Sequence, residues 1–338
     1  MADYKPRYFQ GTMQAAIGPN AARIAPVSRF ANIFMGEIVD KIVEAQYRVG
    51  IPDEETVKKL KAVDFGKEGI KTDKDLLALY ERMGVKFQEG TRPLNVIEVC
   101  FEPKSPETMR HYFEAACRYR DERESTLPVP LKVFIGTTQT AERFKYMIEH
   151  GFLPDAVVST NMAPLMDPYI RAFCKEYGIV LGPNIGYSSD NLVACLESVE
   201  KQDGKPIAGA AIQKTFPFGA INSLDFLKAM TSTHPGAVLM PTGGVSYITV
   251  RDLIRYGAEL VGASAPSKKE DIVQAAYADV RELKGPAAWE PFIRNASVMA
   301  TEVHIGLLLR QEDKANAKTS DADLDRKFQE VVGALKGD

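Results

Sequence analysis

The segment AAIQKTFP sets Lys214 near the end of a mostly apolar run, three residues before a proline. Apolar neighbours withdraw water from an ammonium and disfavour its charged form, and a lysine in its neutral form is a nucleophile toward carbonyl carbon. The competing structural role is a strand-end lysine whose stem packs while its charge reaches solvent. A second ionisable residue, Glu98, interrupts the apolar run LNVIEVCF. A carboxylate there needs either a charge partner or a chemical task. Two glycine-bearing turns, PTGGVS (241–246) and GAS (262–264), offer hydroxyls from Thr242 and Ser264 and backbone N–H groups around Gly243, Gly244 and Gly262. Such a set makes either a tight turn or an anion nest. Thr137, closing the run LKVFIGT, is a strand-end hydroxyl or a donor to substrate. A lysine, a carboxylate and a phosphate cradle brought to one place would support Schiff-base chemistry on a phosphorylated carbonyl compound.

The elements that must position these residues alternate regularly. Apolar, β-like runs at 94–101, 131–137, 155–160, 179–186, 207–216, 237–244 and 259–264 are each followed by a helical pattern. The helix after the last run is KKEDIVQAAYADVRELKG. Consecutive strand–helix units imply parallel strands joined by right-handed crossovers. An eighth, weaker strand, RIAPVSRF (23–30), completes the number that closes an α/β (β/α)8 TIM barrel. A doubly wound open sheet is the rival, without a GxGxxG after a first strand to support a dinucleotide-binding version. In a barrel, strand C-terminal ends carry the active site, and the loops after strands seven and eight hold phosphate. Lys214, PTGGVS and GAS occupy such ends. The expected division is a barrel over 1–284, including a helical insertion at 31–90, and a helical C-terminal extension over 285–338. That extension reads as WEPFIRNASVMATEVHIGLLLRQ, a polar stretch, and a last helix DRKFQEVVGALK.

Composition excludes several classes. The 338 residues are 45% hydrophobic and 26% charged, the balance of a globular protein with a sizeable core. A net charge of −3 gives no electrostatic reason to expect nucleic acid or an acidic membrane as partner. The N-terminal MADYKPRYFQGTMQ lacks the apolar core of a secretory signal, and no apolar run approaches membrane-spanning length. Cys100, Cys117, Cys174 and Cys195 form no CxxC, so reduced thiols and a cytoplasmic location are expected. Four histidines without an HExxH or close pairing suggest no metal site.

Five of these stretches together resemble the 2-keto-3-deoxy-6-phosphogluconate (KDPG) and 4-hydroxy-2-oxoglutarate aldolases, over about residues 94–283. QKTFP resembles the family's Schiff-base motif Lys-Phe-Phe-Pro, with Thr215 in place of one phenylalanine. IEVCF resembles the strand whose carboxylate is the general acid/base, here Glu98. IGTTQT resembles the stretch whose threonine touches substrate, here Thr137. MPTGGVS and VGAS resemble the two halves of the phosphate loop. The resemblance implies a class I aldolase acting on a keto acid or sugar-acid phosphate, with no metal or organic cofactor, assembled as a homo-oligomer, by family habit a trimer. Pro183 falls at a substrate-lining position. Glu102 stands where the family has the arginine that binds the pyruvate carboxylate, so that carboxylate must be held by another group or the substrate must differ. The family's Pro-Gly-Ile after strand five reads Pro183-Asn184-Ile185. The residues also admit two other readings: a phosphorylated-ligand binding or regulatory protein on the same barrel, and a phosphosugar isomerase that does not use the lysine.

Overall fold

The computed structural model describes residues 24–28, 35–100, 106–123, 125–136, 140–149, 153–162, 166–202, 205–221, 224–263 and 289–336. Eight parallel strands make the barrel: β1 (Ile24–Ser28), β2 (Val96–Cys100), β3 (Lys132–Gly136), β4 (Ala156–Val158), β5 (Val180–Gly182), β6 (Gln213–Thr215), β7 (Leu239–Pro241) and β8 (Val261–Ala263). Six form one continuous sheet in the order β8-β1-β2-β3-β4-β5, and β6 pairs with β7. The bridge Asn184↔Lys214 joins β5 to β6, and the bridge Thr242↔Gly262 joins β7 to β8. With β1 paired on both sides, to β2 and to β8, the sheet closes on itself. The open doubly wound alternative is therefore excluded.

Why these short runs form barrel strands follows from their composition. Valine, isoleucine and leucine crowd them on both faces, as in a parallel sheet covered by helices outside and filled by its own side chains inside. The two faces separate into two apolar clusters. Val96, Phe134, Ala156, Val158, Val180, Ile212, Met240 and Leu260 fill the interior. Their strand neighbours Ile97, Val133, Ile135, Val157, Leu181, Leu239 and Val261 pack outward under the helices. Period-two alternation therefore fixes which face each functional residue occupies. Glu98 shares the inner face with Val96, and Lys214 shares it with Ile212.

The helices are α1 (Met35–Tyr47), α2 (Glu54–Lys61), α3 (Asp73–Arg82), α4 (Pro106–Arg123), α5 (Ala141–Glu149), α6 (Pro168–Tyr177), α7 (Ser189–Glu197), α8 (Phe218–Ile221), α9 (Leu224–Thr233), α10 (Tyr247–Arg255) and α11 (Glu290–Lys336). The helix expected after β8 lies outside the described residues. Among those residues no helix is long and apolar enough to cross a membrane.

Two sequence expectations change. The run 207–216 is not one strand: Lys205–Ala208 pairs antiparallel with Glu200–Gln202, and the barrel strand starts only at Gln213. Gly209 makes the break. Its φ is +91°, and a Cβ there would stand 2.2 Å from the Ser198 carbonyl oxygen. Nor is the tail two helices with a polar link. Glu290–Lys336 is one helix of 47 residues, about 70 Å long. The polar stretch EDKANAKTSDADLD contains neither proline nor glycine, so nothing in it ends a helix.

A buried ion pair ties the insertion and this helix to the barrel. Arg251 on α10 donates from Nε to Glu302 Oε2 at 2.6 Å and from Nη2 to Glu302 Oε1 at 3.1 Å. The guanidinium also donates to the carbonyls of Leu60 and Val63 at 3.3 Å, closing off α2. Tyr80 of α3 donates its hydroxyl to Glu302 Oε1 at 2.7 Å. Burial, with the Glu302 charge beside it, raises the Tyr80 phenol well above its ordinary range, so it stays a donor. Three segments thus share one fully buried carboxylate. Arg251→Ala would leave that carboxylate without its cation, and about 3–5 kcal/mol of stability should be lost in denaturant titration. A loss under about 1 kcal/mol would mean that the pair is not what holds these segments.

Candidate active site

The strand register carries Glu98 and Lys214 into the barrel interior from opposite parts of the wall. Lys214 is 2% exposed and Glu98 1%. Lys214 Nζ lies 3.9 Å from Glu98 Oε1, close enough for an ion pair and too far for a direct hydrogen bond. The same ammonium sits 5.9 Å from the centre of the Phe216 ring. The strand-end lysine that reaches solvent is thereby ruled out in favour of a buried one. Glu98 is a buried strand carboxylate with a lysine partner.

Space for the Glu98 carboxylate comes from a residue that the sequence reading passed over. Gly136 ends β3 beside Glu98, and a Cβ built there would stand 1.9 Å from Glu98 Oε1 and 2.8 Å from its Cδ. An isolated glycine at a strand end signals this kind of close approach, and LKVFIGT displays one. Lys214 is anchored by its backbone: its N–H donates to the Pro183 carbonyl and its C=O accepts from Ile185 N, each at 2.9 Å. Pro183 is thus brought to the lysine, buried, through its carbonyl oxygen.

The glycine turn after β7 lies against the turn that follows the lysine. Phe218 N donates to Thr242 O at 2.9 Å and Gly219 N to Gly243 O at 2.7 Å. Gly243 and Gly244 have φ of +78° and +87°. A Cβ on Gly243 would stand 2.7 Å from the Phe216 ring, and one on Gly244 would stand 2.5 Å from Gly219 Cα. Both glycines are therefore required by loop–loop packing alone, whatever the turn binds. The anion-binding potential rests instead on the N–H groups of Gly243, Gly244 and Val245, which donate to no described residue. They lead into α10, where Ser246 N is capped by Thr249 Oγ1 at 3.0 Å. Thr242 is buried and faces Gly262, where a side chain would stand 2.5 Å from its Oγ1. Thr137, Glu102 and Ser264 lie outside the described residues. Among the described residues, no three His, Cys, Asp or Glu side chains gather into a metal-binding group.

No family model matches the sequence, and no curated protein matches it. Solved structures do. The KDPG aldolase of Legionella pneumophila, solved with pyruvate captured as a covalent carbinolamine intermediate, aligns at a TM-score of 0.51 and 14% identity. The alignment covers 85% of this chain and 98% of that one. The aldolase of Zymomonas mobilis ZM4, solved with 3-phosphoglycerate, aligns at 0.45 and 16%, covering 83% and 92%. The resemblance carried by the sequence motifs is met by a shared fold, the (β/α)8 barrel of the Legionella pneumophila aldolase.

The close approach at Gly136 generates a test that does not depend on any assumed reaction. Gly136→Ala should destabilise the protein by about 1–3 kcal/mol, the usual cost of overpacking. In a Glu98→Ala background, itself destabilised by the unpaired Lys214, the same Gly136→Ala change should cost much less, because the contact it makes is already gone. Strictly additive losses in denaturant titration would mean that Gly136 does not make the room for Glu98.

Proposed function

We propose that the protein is a class I aldolase-type lyase that makes or breaks a carbon–carbon bond of a 2-keto acid through an imine at Lys214. The observation that carries this reading is the pairing of Lys214 with Glu98, 3.9 Å apart and both buried inside the barrel. In the cleavage direction Lys214 passes a proton to Glu98, and its amine attacks the substrate's C2 ketone to give a carbinolamine. Glu98 gives that proton to the carbinolamine hydroxyl, which departs as water and leaves a protonated imine beside a Glu98 carboxylate. Glu98 then takes the proton of the C4 hydroxyl, the C3–C4 bond breaks, the aldehyde departs, and the bonding pair moves through C3 into the imine to form an enamine. Return of the proton to C3 and addition of water release pyruvate and restore the lysine. Because 3.9 Å exceeds hydrogen-bond length, protons pass between the two groups through one intervening water or a substrate hydroxyl.

The unused N–H groups at Gly243, Gly244 and Val245, one strand from the lysine, support a phosphate at the far end of the substrate, with Thr242, Gly262 and Ser264 as its surroundings. Holding that end fixes the reacting carbons in line with Lys214. The barrel over 1–284 with the 285–338 extension remains our division of the chain, and the buried free thiols of Cys174 and Cys195 favour a reducing, cytoplasmic setting.

Borohydride reduction in the presence of pyruvate, read by mass spectrometry, tests the reading. The wild type should gain the mass of a reduced pyruvate adduct on Lys214. Lys214→Arg, which keeps the charge but cannot form the imine, should gain none while remaining folded. Glu98→Gln should still be trapped, with cleavage slowed by roughly 10²–10⁴. No adduct with any 2-keto acid, or undiminished turnover in folded Lys214→Arg, would leave the ligand-binding or isomerase reading in its place. Phosphorylated keto acids should outperform their unphosphorylated analogues in kcat/KM, and equal values would reduce the glycine turn to packing.

A further inference from the structure

We infer that Asn184 is a positioning residue for Lys214: its side-chain amide and the backbone on either side of it grip the segment Lys214–Phe216 and set the direction in which the lysine projects. The inference rests on the reading of Lys214 as the imine-former and extends it to a residue whose side chain bonds backbone groups around the lysine.

The grip is a complete set of hydrogen bonds. Asn184 Nδ2 donates to Phe216 O at 3.1 Å and to Thr160 O at 2.8 Å. Its Oδ1 accepts from Phe216 N and from Gly186 N, each at 3.0 Å. A primary amide has two donors and two acceptor lone pairs, so all four are used. Only one orientation satisfies the set. With the amide flipped, the NH2 group would face two N–H donors and the oxygen two carbonyls. The flanking backbone adds the bonds from Lys214 N to Pro183 O and from Ile185 N to Lys214 O.

One side chain therefore ties the ends of β4, β5 and β6 together, and it does so two residues beyond the lysine. That place needs external support. The next residue, Pro217, has no N–H with which to continue the ladder. Its carbonyl is held from the same loop, by the Tyr187 hydroxyl at 2.9 Å. Without the Asn184 side chain the Phe216 N–H and C=O lose their partners, and the strand end just beyond Lys214 keeps only the ladder bonds to the β5 loop and to Thr242, so its direction is less well fixed. A nucleophile displaced by about 1 Å loses on the order of 10²-fold in rate, so this freedom should be visible in chemistry before it is visible in folding.

The test compares Asn184→Ala and Asn184→Asp with Asn95→Ala. Asn95 donates to Pro130 O at 3.0 Å at the opposite end of the barrel and serves as a control for simple loss of a structural amide. In Asn184→Ala the limiting rate of borohydride trapping at saturating pyruvate should fall about 10- to 100-fold, with the half-saturating concentration changed less than threefold. The Phe216 amide should exchange hydrogen faster by mass spectrometry. Asn95→Ala should change thermal stability and neither of these. Asn184→Asp keeps the two accepted bonds and loses the donated ones, so it should fall between Asn184→Ala and wild type, and it decides the matter if Asn184→Ala does not fold. An unchanged limiting rate together with unchanged exchange at Phe216 overturns the inference. If the wild type is not trapped at all, the imine reading fails separately, and exchange at Phe216 alone decides whether Asn184 holds the segment.

Discussion

A lysine and a glutamate buried together inside a closed β-barrel are the constraint on which the remainder of the structure depends. Neither charge is tolerable alone in that environment, since an isolated ion moved into a low-dielectric interior costs several kcal/mol even after relaxation. Their 3.9 Å separation offsets part of that cost without closing into a direct hydrogen bond. The rest of the interior is shaped around the pair. Gly136 gives up its side chain to admit the carboxylate, and Gly262 does the same for Thr242. The loop after β5 fastens the backbone of the lysine from both sides. A pair kept at this distance, rather than closed into a direct hydrogen bond, is less than optimal for stability. That is the pattern the proposed imine chemistry calls for.

The additions outside the barrel serve another physical end. The insertion helices and the long C-terminal helix converge on Glu302, which satisfies Arg251 and Tyr80 while having no exposure of its own. Arg255 with Asp313, at 2.7 Å, and Arg294 with Glu81, at 2.5 Å, repeat the link nearer the surface, where each pair contributes little. The insertion also reaches the glycine turn's helix, where Asp73 Oδ1 accepts from Ile248 N at 3.4 Å. The segments that lie outside the resembling aldolase motifs are therefore joined to α10, which follows the proposed phosphate loop, and through it to the end of β7.

Much of this was legible in the sequence because barrel strands announce themselves by apolar runs on both faces, and because strand alternation fixes the inner residues once a run is located. Lys214 in IQKT reads as a strand-end residue and Glu98 in VIEVC as a carboxylate inside an apolar strand, but that the two meet depends on the register of strands far apart in the sequence. The exceptions have identifiable causes. The strand expected over 207–216 breaks because Gly209 must let the Ser198 backbone pass, a tertiary demand that leaves only a lone glycine as its trace. The polar stretch in the last helix looks like a linker by composition, yet it lacks any residue that would end a helix. Asn184 could be seen only as a departure from a motif, because its four partners come from three strand ends that the sequence does not place side by side.

The central claim is that Lys214 and Glu98 are one buried charge pair and not two independently placed residues. A double-mutant cycle on folding stability with Lys214→Met and Glu98→Gln tests it most directly. If the claim holds, Lys214→Met, which leaves a buried carboxylate without its cation, costs about 3–5 kcal/mol, and the double variant recovers most of that loss or exceeds the wild type. Stability losses that simply add, with the double variant as unstable as the sum of the singles, would contradict it.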